Sequence, residues 1–193
     1  MRCNGRRVGL TYAMADNEEG SAPAIRRAVT ADAAALADVG RRLFEETFGP
    51  VNTPEDMELY LRTAFGEAIQ RAELLNVDRR TLLVEDVEGN LIGYATLALG
   101  THGDGVAGER PAEIQRFYID RRWHGRGVAN LLMDACVDEC ERWACDMIWL
   151  AVWEKNERAI SFYERHGFRR VGAKTFVLGH DEQHDYVMSR PVS

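Results

Sequence analysis

Arg116-Phe117-Tyr118-Ile119-Asp120-Arg121-Arg122-Trp123-His124-Gly125-Arg126-Gly127-Val128-Ala129 is the stretch on which the fold turns. An apolar run from Ile114 to Ile119 enters it as a strand, and two glycines bracket Arg126. A long helix then runs from about Arg126 to Trp143, with Val128, Leu131, Leu132, Ala135, Cys136 and Cys140 as its buried stripe at helical spacing. A strand, a glycine-bearing loop and a helix start together make anion-binding geometry. The glycines let the main chain approach a pyrophosphate, while unpaired amides and the dipole of the first helical turn face its oxygens. Arg126 adds a charge. The loop is neither G-x-x-x-x-G-K-[ST] nor G-x-G-x-x-G, because Asn130 stands where the third glycine would fall, so ATP and nicotinamide chemistry fit poorly.

Working outward, Met147 to Trp153 is continuously apolar, as expected of a strand covered on both faces, and a helix follows from Glu157 to His166 until Gly167 stops it. Phe168 to Leu178 and His184 to Ser189 read as a hairpin around Gly179-His180-Asp181-Glu182. Upstream, Ala24 to Val29 is a strand, and Thr30 opens a helix carrying Leu36, Val39, Leu43 and Phe44. Thr53-Pro54-Glu55-Asp56 gives a second helix its cap, its first-turn proline and its acids. That helix runs to Leu75 with a break near Gly66. Thr81 to Asp86 and Leu91 to Leu99 flank the turn Glu88-Gly89-Asn90, and Gly100 to Gly108 reads as a mobile loop. The order describes an α/β domain on a mixed sheet.

At 193 residues with 46% apolar content, one core suffices. The apolar runs are far shorter than the roughly 20 residues a membrane-crossing helix needs. A net charge of −7 supplies no basic field for nucleic acid, although an acidic surface steers cationic substrates. Cys3, Cys136, Cys140 and Cys145 form no C-x-x-C pair and lack the further ligands a metal would require. Reduced thiols in a cytoplasm fit this usage. Residues 1–22 contain no signal-peptide core and read as a disordered extension, with Met14 as an alternative start, ahead of a single domain over residues 23–193.

His124-Gly125-Arg126-Gly127-Val128-Ala129 resembles the cofactor loop of the GNAT acetyltransferase superfamily, Q/R-x-x-G-x-G/A, with His124 as the departure. Asn156-x-x-Ala159-x-x-Phe162-Tyr163-x-x-x-Gly167-Phe168 is similar to that family's second cofactor motif at every named position. The resemblance implies a mixed, mostly antiparallel sheet of about seven strands flanked by helices, with acetyl-CoA as co-substrate and no metal. By the same resemblance Tyr163 donates a proton to the departing coenzyme A thiolate and Asn156 bonds the pantetheine arm. The amides of Phe117, Tyr118 and Ile119 pair with the acetyl carbonyl and pantetheine where the central strands part. An alkyl amine of pKa about 10.4 is only about 0.04% neutral near pH 7, so a base or water relay is required. Glu113, where family members often carry a carboxylate, is the candidate.

Glu45-Glu46-Thr47-Phe48 with Asn52-Thr-Pro-Glu-Asp56, Leu150-Ala-Val-Trp-Glu-Lys-Asn156, and Leu178-Gly-His-Asp-Glu-Gln183 with Asp185 resemble the PaiA-like branch, associated with spermidine and spermine acetylation. On that reading Glu45, Glu46, Asp56, Glu113 and Asp185 offer carboxylates to a polyamine. Protein or peptide N-acetylation and a noncatalytic acyl-CoA-binding regulatory module stay open as alternatives, and homodimerisation is a family expectation.

Overall fold

The computed structural model describes residues 22–192. The expected amino-terminal extension and the alternative start at Met14 lie outside the described residues. Seven strands, β1 (Ala24–Arg27), β2 (Arg79–Glu85), β3 (Leu91–Leu99), β4 (Pro111–Ile119), β5 (Met147–Trp153), β6 (Arg169–Leu178) and β7 (Asp181–Pro191), form one sheet in the order β1-β2-β3-β4-β5-β7-β6. Every neighbouring pair is antiparallel except β4 with β5. The mixed α/β sheet read from the order of elements is the one observed.

Five helices cover both faces. Against one face lie α1 (Ala33–Phe48), α2 (Pro54–Ala64) and α3 (Glu67–Leu75), with a core of Leu36, Leu43, Phe44, Leu61, Phe65 and Tyr94. Against the other lie α4 (Val128–Arg142) and α5 (Glu157–Arg165), packed with Leu97, Ile114, Leu132, Met133, Leu150 and Phe168. The continuously apolar β5 is thus buried on both sides, which is why its sequence does not alternate.

Local chemistry explains most boundaries. Thr53 accepts the Asp56 amide at 3.2 Å with Pro54 in the first turn, as its sequence predicts. Thr30 does not cap α1. A single 3₁₀ turn, Thr30–Asp32, intervenes, and the Asp32 carboxylate takes the Val29 amide at 2.7 Å. The expected break near Gly66 divides α2 from α3, and the Gln70 side chain bonds the Ala64 carbonyl at 3.0 Å across the joint. The segment from Gly100 to Gly108, expected to be mobile, is anchored. The Trp149 indole donates to the Thr101 carbonyl at 2.9 Å, and Asp104 accepts the Ala173 amide.

β4 begins three residues earlier than its apolar run suggests, at Pro111, which puts Glu113 inside the strand. The final hairpin is tighter than expected, turning at Gly179-His180. There the Asp56 carboxylate accepts the His180 amide at 2.7 Å, and a Cβ on Gly179 would stand 2.4 Å from Asp56 Oδ1. Gly179, at φ 62°, is required on both counts.

Candidate active site

The site originates in a fault between two strands. β4 and β5 pair only from Pro111–Met147 to Ile114–Leu150 and then diverge. At that point β4 carries an extra residue, Gln115, opposite the step from Thr96 to Leu97 on β3, and such a bulge bends and twists its strand. Beyond it the β5-facing edge of β4 has no strand partner among the described residues. The Asp120 amide donates to Ile92 O on β3 at 2.8 Å. Antiparallel alternation therefore turns the main-chain groups of Phe117 and Ile119 into the gap and those of Tyr118 toward Tyr94 on β3. Two of the three amides expected at the gap face it, and the third is committed to the sheet.

The glycine loop lies at the mouth of the gap. Gly125 and Gly127 both adopt left-handed backbone, φ 78° and 81°. Gly127 is the N-cap of α4 and has no capping side chain. The first intrahelical bond runs from the Leu131 amide to Gly127 O, so the amides of Val128, Ala129 and Asn130 have no helical acceptor. The helix begins two residues later than its periodicity suggests because the positive φ of Gly127 cannot extend it. Arg126 is exposed and stays beside the loop, 5.4 Å above the Trp123 ring. His124 is the departure from the family pattern, and its Nε2 lies 2.9 Å from the Ile119 carbonyl, tying the loop to the end of β4. Below it the buried Asp120 carboxylate, held well below the usual range by Arg122, also binds Arg42 of α1 at 2.7 Å.

α5 supplies the second wall. Asn156 caps it by accepting the Ala159 amide at 3.1 Å, which leaves the carboxamide nitrogen available. Tyr163, one helical turn beyond Ala159, is 8% exposed and packs against Phe117, Phe162 and Phe168. Burial raises the pKa of its hydroxyl, so the phenol is protonated at neutral pH. Lys155, Arg158 and Arg165 join the lining of the same cleft, whose volume is about 940 Å³. Sequence reasoning passed over these three cations, because their spacing alone does not distinguish them from a solvated helix face. They complete a site rich in donors and positive charge, the chemistry a pyrophosphate-bearing cofactor requires.

On the opposite face of the sheet the cleft continues under α1 and α2. Phe48 meets Trp153 at 6.5 Å between ring centres, and Tyr60 meets Phe176 at 5.5 Å. Asp185 lies cross-strand from both Trp153 and Lys174, and Lys174 Nζ is 3.9 Å from Glu113 Oε1. Both acids are buried to 8% exposure and both line the cleft. Desolvation pushes the Asp185 carboxyl up to about 6, partly opposed by Lys174. The other predicted acids lie elsewhere. Glu45 is exposed, pairs with Arg41 at 3.3 Å and borders a separate shallow recess, while Glu46 pairs with Arg42 at 3.0 Å. Asp56 holds the β6–β7 turn.

The segments carrying Asn52 and Gln183, both flagged in the sequence, meet through Gln183 Nε2 and Asn52 Oδ1 at 2.8 Å. They dock the hairpin that bears Asp185 against the start of α2. Among the described residues no three His, Cys, Asp or Glu side chains gather to hold a metal ion, and no helix is long and apolar enough to cross a membrane.

A family model, Acetyltransferase (GNAT) family, matches residues 40–168. An uncharacterised N-acetyltransferase of Mycobacterium tuberculosis is 34% identical over 159 residues, 82% of this chain and 97% of that protein. A spermine/spermidine N(1)-acetyltransferase of Bacillus subtilis is 32% identical over 90 residues, 46% of this chain and 59% of that protein. Among solved structures, a PaiA N-acetyltransferase of Thermoplasma acidophilum in complex with coenzyme A superposes with TM-score 0.70 at 20% identity, covering 88% of this chain and 99% of that one. With the family model spanning two thirds of the chain and a relative 34% identical over 82% of it, the chain belongs to the GNAT family of acetyl-CoA-dependent N-acetyltransferases.

Proposed function

We propose that this enzyme transfers an acetyl group to a primary amine of a small molecule by direct attack, with the β4–β5 gap as the meeting point of donor and acceptor. The observation that carries the reading is the continuity of the cleft. The glycine loop and Tyr163 line it on the α4–α5 face, and Glu113 and Asp185 line it on the other.

Acetyl-CoA supplies the acetyl group as an activated thioester. The amides of Val128, Ala129 and Asn130, with Arg126, hold its pyrophosphate, and the Asn156 carboxamide bonds the pantetheine arm. The Phe117 and Ile119 amides, fixed in the strand before any ligand arrives, stabilise developing negative charge on the acetyl oxygen. The new C–N bond replaces the C–S bond, and Tyr163 gives its proton to the departing sulfur. Glu113 and Asp185 receive the ammonium form of the acceptor and take its proton directly or through water. A carboxyl near 6 is well matched to that duty, since a general base works best with its pKa close to the operating pH.

The test is thiol release from acetyl-CoA by the purified protein over a panel of spermidine, spermine, amino acids and short peptides, with Tyr163→Phe as control. Tyrosine-dependent release with small amines supports the reading. Release with peptides alone would move it to protein acetylation, and tight acetyl-CoA binding without release would favour a binding module. A polyamine acceptor is the second reading, favoured by the two buried carboxylates and by the partial similarity to the Bacillus subtilis enzyme.

The Asp185 carboxyl yields a pH prediction. It is charged above about pH 6 and neutral below, so kcat/KM should fall as pH drops through that value. Asp185→Asn should lower kcat/KM by about tenfold or more and abolish that acid limb, whereas Glu113→Gln should lower the rate and leave the limb in place. An unchanged profile in Asp185→Asn would assign the limb to another group.

A further inference from the structure

We infer that the acceptor is an amine that also carries a carboxylate, with Arg79 and Arg116 receiving its anionic end. The inference rests on the acetyl-transfer reading and specifies its substrate class.

The charges of the acceptor limb fall into two clusters of opposite sign. On the β2–β4 side, Glu73 of α3 receives two guanidinium groups. Arg116 Nη1 and Nη2 lie 2.5 and 3.2 Å from its two oxygens, and Arg79 Nη1 lies 2.9 Å from one of them. One carboxylate cannot neutralise two guanidiniums, so a positive charge remains. Arg79 Nε and Nη2 and Arg116 Nε have no protein acceptor among the described residues. All three side chains line the cleft and are 15–28% exposed, which limits screening by solvent.

Toward β7 and β6, Asp185 and Glu113, the latter on β4 three residues before Arg116, face Lys174, leaving a negative charge when both acids are ionised. The sheet order sets the gap between Arg79 and Arg116 of β2 and β4 and Asp185 and Lys174 of β7 and β6, and Glu113 stands on β4 just before the gap opens.

This arrangement suits a dipolar ligand. An ammonium is drawn to Glu113 and Asp185, which line the same cleft as Tyr163, and a carboxylate is received bidentately by guanidinium donors. Phe48, Trp153, Tyr60 and Phe176 give the body of the ligand apolar walls. A polyamine spanning the limb would set an ammonium against the Arg79–Arg116 pair, a like-charge contact that disfavours it. The acidic surface of the whole molecule steers cations, but the charges inside the limb decide what is held.

The test compares kcat/KM of the wild-type protein for leucine, methionine, phenylalanine and glutamate with the same four as carboxamides, and with spermidine. The acids should exceed their amides by at least about tenfold. Arg79→Gln keeps the Glu73–Arg116 pair and should raise KM for the acids by at least about tenfold with little change in kcat, bringing the acid-to-amide ratio toward one. A thermal melt within a few degrees of wild type separates this effect from misfolding. Amides as good as acids, or spermidine preferred, would overturn the carboxylate inference and leave acetyl transfer standing. No thiol release with any acceptor would overturn both.

Discussion

Tyr163→Phe should lower kcat by about 10²- to 10⁴-fold, the span typical of a positioned general acid, while KM for acetyl-CoA changes by less than about threefold. The substitution removes one oxygen and keeps the ring. That ring holds its place through Phe117, Phe162 and Phe168, with centroid distances of 6.2, 5.4 and 5.8 Å, and these contacts are unchanged in phenylalanine. The hydroxyl makes no protein hydrogen bond among the described residues, so its loss strands no buried partner and thermal stability should stay near that of wild type. Because burial keeps the phenol protonated, the proton is in place at neutral pH and the effect should persist across the neutral range. Steady-state kinetics and a thermal melt on the same preparation decide the matter. A variant with wild-type kcat would remove Tyr163 from the chemistry.

Gly127→Glu should raise the dissociation constant for acetyl-CoA by at least about a hundredfold, measured by calorimetric titration. Two causes add. A Cβ at φ 81° costs about 1–2 kcal/mol of backbone strain, which corresponds to a few degrees of melting temperature in a chain of this size. The new carboxylate also stands at the N-cap of α4, where it competes for the amides of Val128, Ala129 and Asn130 and repels phosphate. Gly127→Ala carries the strain without the charge and should retain much of the affinity. Equal loss in both variants would mean that the shape of the loop, and not its charge, decides binding. Undiminished affinity in Gly127→Glu would remove the α4 N-terminus from the cofactor site.

The glycine loop and the tyrosine helix were legible in the sequence because their determinants are local. Gly125 and Gly127 adopt positive φ, Asn156 caps the helix that carries Tyr163, and the apolar spacing after Val128 marks a helix. The charge clusters on the opposite face of the sheet were not. Arg79, Glu73 and Arg116 come from β2, α3 and β4, and Asp185 and Lys174 come from β7 and β6, so only sheet register and helix packing bring them together. Composition could not separate Glu113 from Glu45, since both are acids in strongly charged surroundings. A strand interior buries one, and a helix face leaves the other paired with Arg41 in solvent. The parting of β4 from β5 depends on the extra residue at Gln115, a register event fixed by its partner Thr96–Leu97 on β3 and by no signal within β4 itself. The sequence by itself determined the order of elements, the glycine loop and the tyrosine helix, each governed by interactions within a few residues. The tertiary structure alone decided which main-chain amides face the gap and which charges gather beside it, because those depend on contacts between different strands and helices, such as Arg116 of β4 with Glu73 of α3 and β4 with β3.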